Sequence, residues 1–250
     1  MIDRQDRGPV AVLRIQRGKV GAIDTELLGR LDDCLTEIED SDVAAIVLTG
    51  SGGCFSAGLD LRRILQGGEP YVNELLAAFR HGIKRLFSMP LPVVAAVNGH
   101  AIAGGCVLAC CCDRRIMARG DGQIGFPKLK MPLSYPVLAT EIVRLAAPGA
   151  DAGVLFHGGT LLSPSRALDV GLVDEVVSPA RLVQRACDLA EELVRRGADA
   201  FAEEKEGSRR PVLARVAGAS ARDAAVDRAW ADPQLHSVIS DYLKEMTGRG

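Results

Sequence analysis

Two stretches of this chain carry residue types whose order and spacing suit chemistry done by the main chain. The first is Cys54-Phe55-Ser56-Ala57-Gly58-Leu59-Asp60-Leu61, and the second is Asn98-Gly99-His100-Ala101-Ile102-Ala103-Gly104-Gly105-Cys106. Each begins where an apolar run stops: Ala45-Ile46-Val47-Leu48 before the first, Pro92-Val93-Val94-Ala95-Ala96-Val97 before the second. Each then passes through a turn of small residues into a stretch of helical character. Short buried strands followed by such turns are the pattern of parallel α/β units. Small turn residues leave backbone N–H groups unobstructed, and the N-terminus of the next helix adds positive partial charge. Two such turns facing each other would hold one developing negative oxygen from both sides, an oxyanion hole made of main chain.

Other chemistries fail on particular residues. The cluster Gly50-Ser51-Gly52-Gly53 lacks the third glycine of a dinucleotide fingerprint, because Phe55 stands there. A phosphate loop needs Gly-Lys-Ser/Thr, and this stretch has no lysine. A nucleophile elbow needs glycine two places before Ser56, where Cys54 sits. Cys106, Cys110, Cys111 and Cys112 lie close together, but no second ligand pair follows at zinc spacing. With Cys34, Cys54 and Cys187 they make an odd total of seven, which argues against a disulfide framework. They read as small hydrophobes of a crowded core. His81 reads as a surface or packing residue and His100 as a turn residue.

The elements that must position these turns follow from periodicity. Val10-Ala11-Val12-Leu13-Arg14-Ile15 reads as a strand after Gly8-Pro9. Asp24 reads as the N-cap of a helix with Leu27, Leu28, Leu31, Leu35 and Ile38 on one face. Val43 to Thr49 is the strand before the first turn. Gln66-Gly67-Gly68-Glu69-Pro70 reads as a loop, followed by a helix from about Val72 to Phe87. After Met89-Pro90-Leu91-Pro92, a strand to Val97 delivers the second turn. Cys106 to Cys112 continues as a buried helix, and Asp113 to Ala118 is another strand. Ser163-Pro164 starts a helix that Gly171 stops. From Pro179 the chain is helix-rich and alternately charged, with Glu203-Glu204-Lys205-Glu206 as a solvated face.

At 250 residues the chain can build one substantial core with a smaller appendage, expected as a core domain over 1–195 and a helical region over 196–250. A net charge of −2 gives no general pull toward nucleic acid, and one Trp, three Tyr and six Phe make no stacking platform for single strands. The start, Asp3-Arg4-Gln5-Asp6-Arg7, is no apolar signal segment, and no apolar run is long enough for a bilayer. The expectation is a cytoplasmic protein that engages neither nucleic acid nor membrane.

The two turns, in this order and spacing, resemble the crotonase family, also called enoyl-CoA hydratase/isomerase. Phe55-Ser56-Ala57-Gly58-Leu59-Asp60-Leu61 is most similar to its Δ3,Δ2-enoyl-CoA isomerase branch. The resemblance implies an α/β, crotonase-like spiral of ββα units with a helical C-terminal trimerisation region, assembled as a homotrimer or dimer of trimers. It implies an acyl-CoA or enoyl-CoA substrate, with coenzyme A as part of the substrate and no separate cofactor or metal. By motif match the catalytic groups are the amides of Leu59 and Gly104. The coenzyme A moiety would follow Ala22 and Ile23, although Gly21 replaces the family's usual Asn. Ala57, Gly58, Asp60, Leu61, Ala103, Gly105, Val107, Pro127 and Lys128 would border the substrate, with Asp60 also suited to capping the next helix.

The chain departs from that pattern where the proton is moved. The two glutamates of hydratases, the second shared with mitochondrial-type isomerases, fall on Val107 and Lys128. Glu74 and Tyr135 are the remaining groups near the expected pocket, and a phenol is a poor base near neutral pH. Three functions therefore stand: an isomerase-like enzyme with a relocated base, another crotonase reaction such as decarboxylation or thioester hydrolysis, or an acyl-CoA-binding protein without catalysis. In a decarboxylation, Lys128 would orient the departing carboxylate.

Overall fold

The apolar runs become strands that alternate with helices in a repeating order. The structure, a computed structural model, describes residues 1–127, 134–147, 155 and 159–247. The first unit is β1 (Ile2–Arg7), β2 (Val10–Ile15) and α1 (Thr25–Glu39); the second is β3 (Ala45–Thr49), β4 (Cys54–Ser56) and α2 (Leu61–Ser88). Then come β5 (Val93–Val97), β6 (His100–Ile102) and α3 (Gly104–Cys111), followed by β7 (Arg114–Ala118), β8 (Ile124–Gly125) and α4 (Val137–Ala146). The chain continues through β9 (Leu161–Leu162), α5 (Pro164–Asp169), β10 (Glu175–Val177) and α6 (Leu182–Val194). It ends in α7 (Ala198–Ala217), α8 (Ser220–Ala231) and α9 (Pro233–Thr247).

From the second to the fourth unit, the first strand joins one sheet and the second strand joins another, so the chain spirals. The large sheet runs β1-β2-β3-β5-β7-β10, antiparallel only at β1-β2, and the small sheet runs β4-β6-β8-β9. Thr49 pairs with Ala96 at the ends of β3 and β5, and its hydroxyl donates to the Ala96 carbonyl at 2.8 Å. That register sets the two glycine-containing turns side by side. Both faces of the inner strands β2, β3 and β5 are covered, which is why these are apolar almost throughout rather than alternating. Leu13, Ile46, Leu48, Ala95 and Val97 face the core with α1, α2 and α3, while Val12, Val47, Val94 and Ala96 pack against Leu182, Ala186 and Ala190 of α6. The seven cysteines are all buried, as small core residues.

Two expectations are corrected here, and one strand is added. Gln66 to Pro70 is not a loop before a helix: α2 already begins at Leu61 and bends at Gly68 (φ 58°, ψ −156°). The left-handed glycine ends one helical segment, and Pro70 then falls in the first turn of the next, where its missing N–H costs nothing. The charged N-terminus is a strand, β1, closed onto β2 by Gly8 in the left-handed region. Lys205 is buried within the otherwise solvated run 203–206, because it turns inward to Asp113. Among the described residues, no helix is long and apolar enough to cross a membrane.

Candidate active site

The first turn is held by hydrogen bonds that leave one donor over. The Ser56 hydroxyl donates to the Gly21 carbonyl at 2.7 Å and accepts from Gly58 N–H at 3.2 Å. Asn98 pins the preceding loop, accepting from Gly50 N–H at 2.9 Å and donating to the Gly52 carbonyl at 2.9 Å. Ile23 N–H donates to the Gly58 carbonyl and Asp60 N–H donates to the Ile23 carbonyl, both at 2.8 Å. This parallel bridge ties the Ala22–Ile23 segment alongside the turn, and the Leu59 N–H, on the alternate residue, faces away from it. Among the described residues no hydrogen bond engages the Leu59 N–H. Gly58 has φ 89°, and a Cβ there would lie 2.9 Å from the Ile102 carbonyl oxygen, so only glycine fits.

The second turn meets the first at contact distance. Ala103 has φ 50° and ψ −112°, the one non-glycine with positive φ among the described residues. Such a conformation costs roughly 1–3 kcal/mol and persists only where its surroundings enforce it. Ala103 N–H donates to the Gly125 carbonyl at 2.8 Å, and its carbonyl accepts from Val107 N–H at 3.0 Å, so the strained residue caps α3. Gly104 and Gly105 open the first helical turn, and among the described residues no hydrogen bond engages their N–H groups. A Cβ on Gly105 would lie 2.1 Å from the Ser56 carbonyl oxygen, which is how closely α3 abuts the first turn. A Cβ on Gly104 would lie 3.5 Å from Leu59 N, 3.4 Å from Gly58 Cα and 3.3 Å from Ile23 Cδ1. The space beside Gly104 is therefore also the space beside the Leu59 amide, walled by Ile23.

The remaining residues nominated from sequence are placed as follows. Ala22, Leu61 and Pro127 are half-buried, Ile23 and Gly105 are buried, and Ala57 is exposed with its N–H on the Val20 carbonyl at 2.9 Å. The Asp60 carboxylate is occupied as the N-cap of α2, accepting from Arg62 N–H at 3.0 Å and Arg63 N–H at 3.2 Å. Val107 is fully buried in α3. Lys128 lies outside the described residues. Glu74 and His81 are exposed on α2, and His100 accepts from Gln123 N–H at 3.3 Å. Tyr135 packs edge-on against Phe126, with ring centroids 5.0 Å apart. Burial, and then the neighbouring Cys106, push its phenol up, so it is neutral at ordinary pH. Burial also drives the Asp24 carboxyl upward, but the Leu27 N–H, Arg17 and Arg63 outweigh it and hold the group below the usual range.

Two features of the turns are visible only in the structure: the Ser56 hydroxyl, spent on turn geometry, and the strain of Ala103, a residue nominated above only for bordering the substrate. Ser56→Ala would leave the buried Gly58 N–H and Gly21 carbonyl unpaired, and a loss of about 1–3 kcal/mol in urea unfolding is expected. A change within measurement error would show that these bonds do not hold the turn.

The chain is similar in sequence and fold to enoyl-CoA hydratases and isomerases. The enoyl-CoA hydratase/isomerase family model matches residues 5–231. The chain is 32% identical over 194 residues to the short-chain-enoyl-CoA hydratase of Clostridium acetobutylicum, covering 76% of this chain and 74% of that protein. It is 32% identical over 149 residues to an enoyl-CoA isomerase/hydratase of Mycosarcoma maydis, where the match covers 60% of this chain and about half, 54%, of the relative. The crystal structure of human mitochondrial Δ3,Δ2-enoyl-CoA isomerase superposes with a TM-score of 0.92 at 25% identity, over 99% of this chain and 98% of that one. The α/β crotonase-like spiral that the resemblance implies is the fold of that structure.

Proposed function

The chain belongs to the enoyl-CoA hydratase/isomerase family, and on that premise we propose that it binds an acyl- or enoyl-CoA thioester and stabilises its enolate between the N–H groups of Leu59 and Gly104. The observation that carries this reading is the convergence of two turns on one small space, with an amide on each side that no hydrogen bond engages among the described residues and a strained Ala103 directing one of them. When a proton leaves the α carbon of a thioester, charge gathers on the carbonyl oxygen. Two preorganised main-chain donors and a helix N-terminus meet that charge without reorganising, which is worth several kcal/mol in a dry site.

The reaction that fits is isomerase-like: a water in place of the missing carboxylate takes the proton from the α carbon, the dienolate is held, and that proton is returned at the γ carbon as the double bond moves into conjugation. Leu59 and Gly104 act in the step that develops charge. Val107 brings no carboxylate to α3, and Lys128 stands at the second glutamate position, so the oxyanion machinery is kept while the usual base is replaced.

The test is turnover of 3-enoyl-CoA and 2-enoyl-CoA by the native protein and by Lys128→Glu, together with titration of acyl-CoA. Thioester binding by both proteins is expected, with slow isomerisation by the native chain. Lys128→Glu is expected to gain on the order of 10²-fold, the lower end of what a positioned base supplies. A native protein that binds no CoA thioester would end this reading, and binding with no turnover of 3-enoyl-CoA by either protein would remove the isomerase assignment.

A further inference from the structure

Helix α8 belongs to the C-terminal region, yet both of its carboxylates and its indole are spent on the core. Asp223 accepts from the Val137 N–H at 2.9 Å. Val137 opens α4 after Pro136, whose side chain offers no cap, so α4 is capped from another helix. One turn on, Asp227 forms a two-pronged pair with Arg80 of α2, at 2.6 and 3.1 Å. The Trp230 indole N–H then donates to the Ser134 carbonyl at 2.8 Å, and the ring is buried. Asp223, Asp227 and Trp230 recur at spacings of four and three, so one face of α8 makes all three contacts.

Between the two anchored residues lies Tyr135. Its ring packs on Phe126, the residue after β8, and β8 pairs with β6, which leads into Ala103 and Gly104. The Gly125 carbonyl that receives the Ala103 N–H is the neighbour of Phe126. The segment from Ser134 to Val137 thus stands beside the second turn, fixed at both ends by α8.

We propose that α8 is a positioning element for the acyl part of the ligand: Asp223 and Trp230 fix the Ser134–Val137 segment, Arg80–Asp227 fixes α8 on α2, and the Tyr135 ring so held forms a wall that contacts the acyl chain but not the coenzyme A moiety. The proposal rests on the thioester-binding reading and specifies which part of that ligand the C-terminal region controls. None of the three α8 residues touches the reacting atoms.

The chain has a single tryptophan, so Trp230 fluorescence reports on this contact without labelling. Coenzyme A, butyryl-CoA and dodecanoyl-CoA are titrated against the native protein, Asp223→Ala, Asp223→Asn, Arg80→Asp, Asp227→Arg and the double exchange Arg80→Asp/Asp227→Arg. Amide exchange at Val137 is followed in parallel. In Asp223→Ala, a rise of about tenfold in the dodecanoyl-CoA Kd is expected with the coenzyme A Kd unchanged, as for loss of one charge-assisted hydrogen bond. Asp223→Asn keeps an acceptor for Val137 N–H and is expected to restore both affinity and exchange protection. The double exchange is expected to recover what each single charge reversal loses.

Equal weakening for coenzyme A and its thioesters would make α8 a stabilising helix only and overturn the proposal, as would unchanged affinities in Asp223→Ala. A native protein that binds none of the ligands would fail the thioester reading instead. In that case Val137 exchange still decides the clamp: faster in Asp223→Ala but not in Asp223→Asn supports it, and no difference refutes it.

Discussion

Gly104→Ala is expected to leave the protein folded and to lower thioester turnover by about 10²–10³-fold, the cost of disabling one oxyanion donor. Gly104 is the first residue of α3, with no positive φ to forbid a side chain. The added methyl would meet Ile23 Cδ1 at 3.3 Å and Gly58 Cα at 3.4 Å, contacts that a small shift of the Ile23 side chain relieves. Alanine also favours helix over glycine, so stability should hold. The same methyl would lie 3.5 Å from Leu59 N, in the space proposed for the thioester oxygen. Turnover is best read in the Lys128→Glu background beside urea unfolding of both proteins. Full activity in the folded Gly104→Ala protein would show that the oxygen does not bind there. Gly105→Ala makes the contrast: its Cβ would fall 2.1 Å from the Ser56 carbonyl oxygen, so folding itself should suffer.

Asp113→Ala carries the largest expected loss of stability, about 3–5 kcal/mol, as for removing one partner of a buried ion pair. Asp113 accepts from the Val93 N–H at 2.7 Å and from Lys205 at 2.7 Å, and pairs with Arg209 through its other oxygen. Lys205 also donates to the Leu91 carbonyl at 2.7 Å, and Arg209 stacks over the Phe87 ring at 4.3 Å. The Lys205 and Arg209 side chains are only 4% and 8% exposed, so neither finds water when Asp113 is lost. Burial already pulls Lys205 down to about 8 despite the opposing pull of Asp113. The cluster joins α7 to the start of β5 and β7, so its loss should loosen the C-terminal helices first. Urea unfolding at pH 7 measures the effect. Asp113→Ala combined with Lys205→Met and Arg209→Met should recover much of it, since no uncompensated charge is then buried. A loss under 1 kcal/mol in the single variant would mean that the cluster is solvated.

Local signals predicted what depends on near neighbours. The caps at Asp24, Asp60 and Ser163 were legible because a short polar side chain stands just before an apolar helical period, and each accepts from its own helix as expected. The strands β2, β3, β5 and β7 were legible as apolar runs bounded by breakers. Strand β1 was not, because it is an edge strand with Ile2 as its only buried residue, leaving no alternation to read. The bend in α2 reads as a loop in sequence because Gly67, Gly68 and Pro70 punctuate strongly, while the packing of Ile64 and Val72 that carries the helix across is a long-range matter.

By itself, the sequence determined two small-residue turns after buried strands, the α/β alternation, and the absence of glutamate at positions 107 and 128. Only the tertiary structure brings the Leu59 and Gly104 amides beside one space, puts strained backbone at Ala103 ahead of α3, turns Lys205 inward and ties α8 to the residues flanking Tyr135. The reason is range. Periodicity, caps and turn residues act over a few positions, and residue types record them. Convergence of two amides requires the β3–β5 register and a backbone contact between Ser56 and Gly105, and these exist only once distant segments have packed.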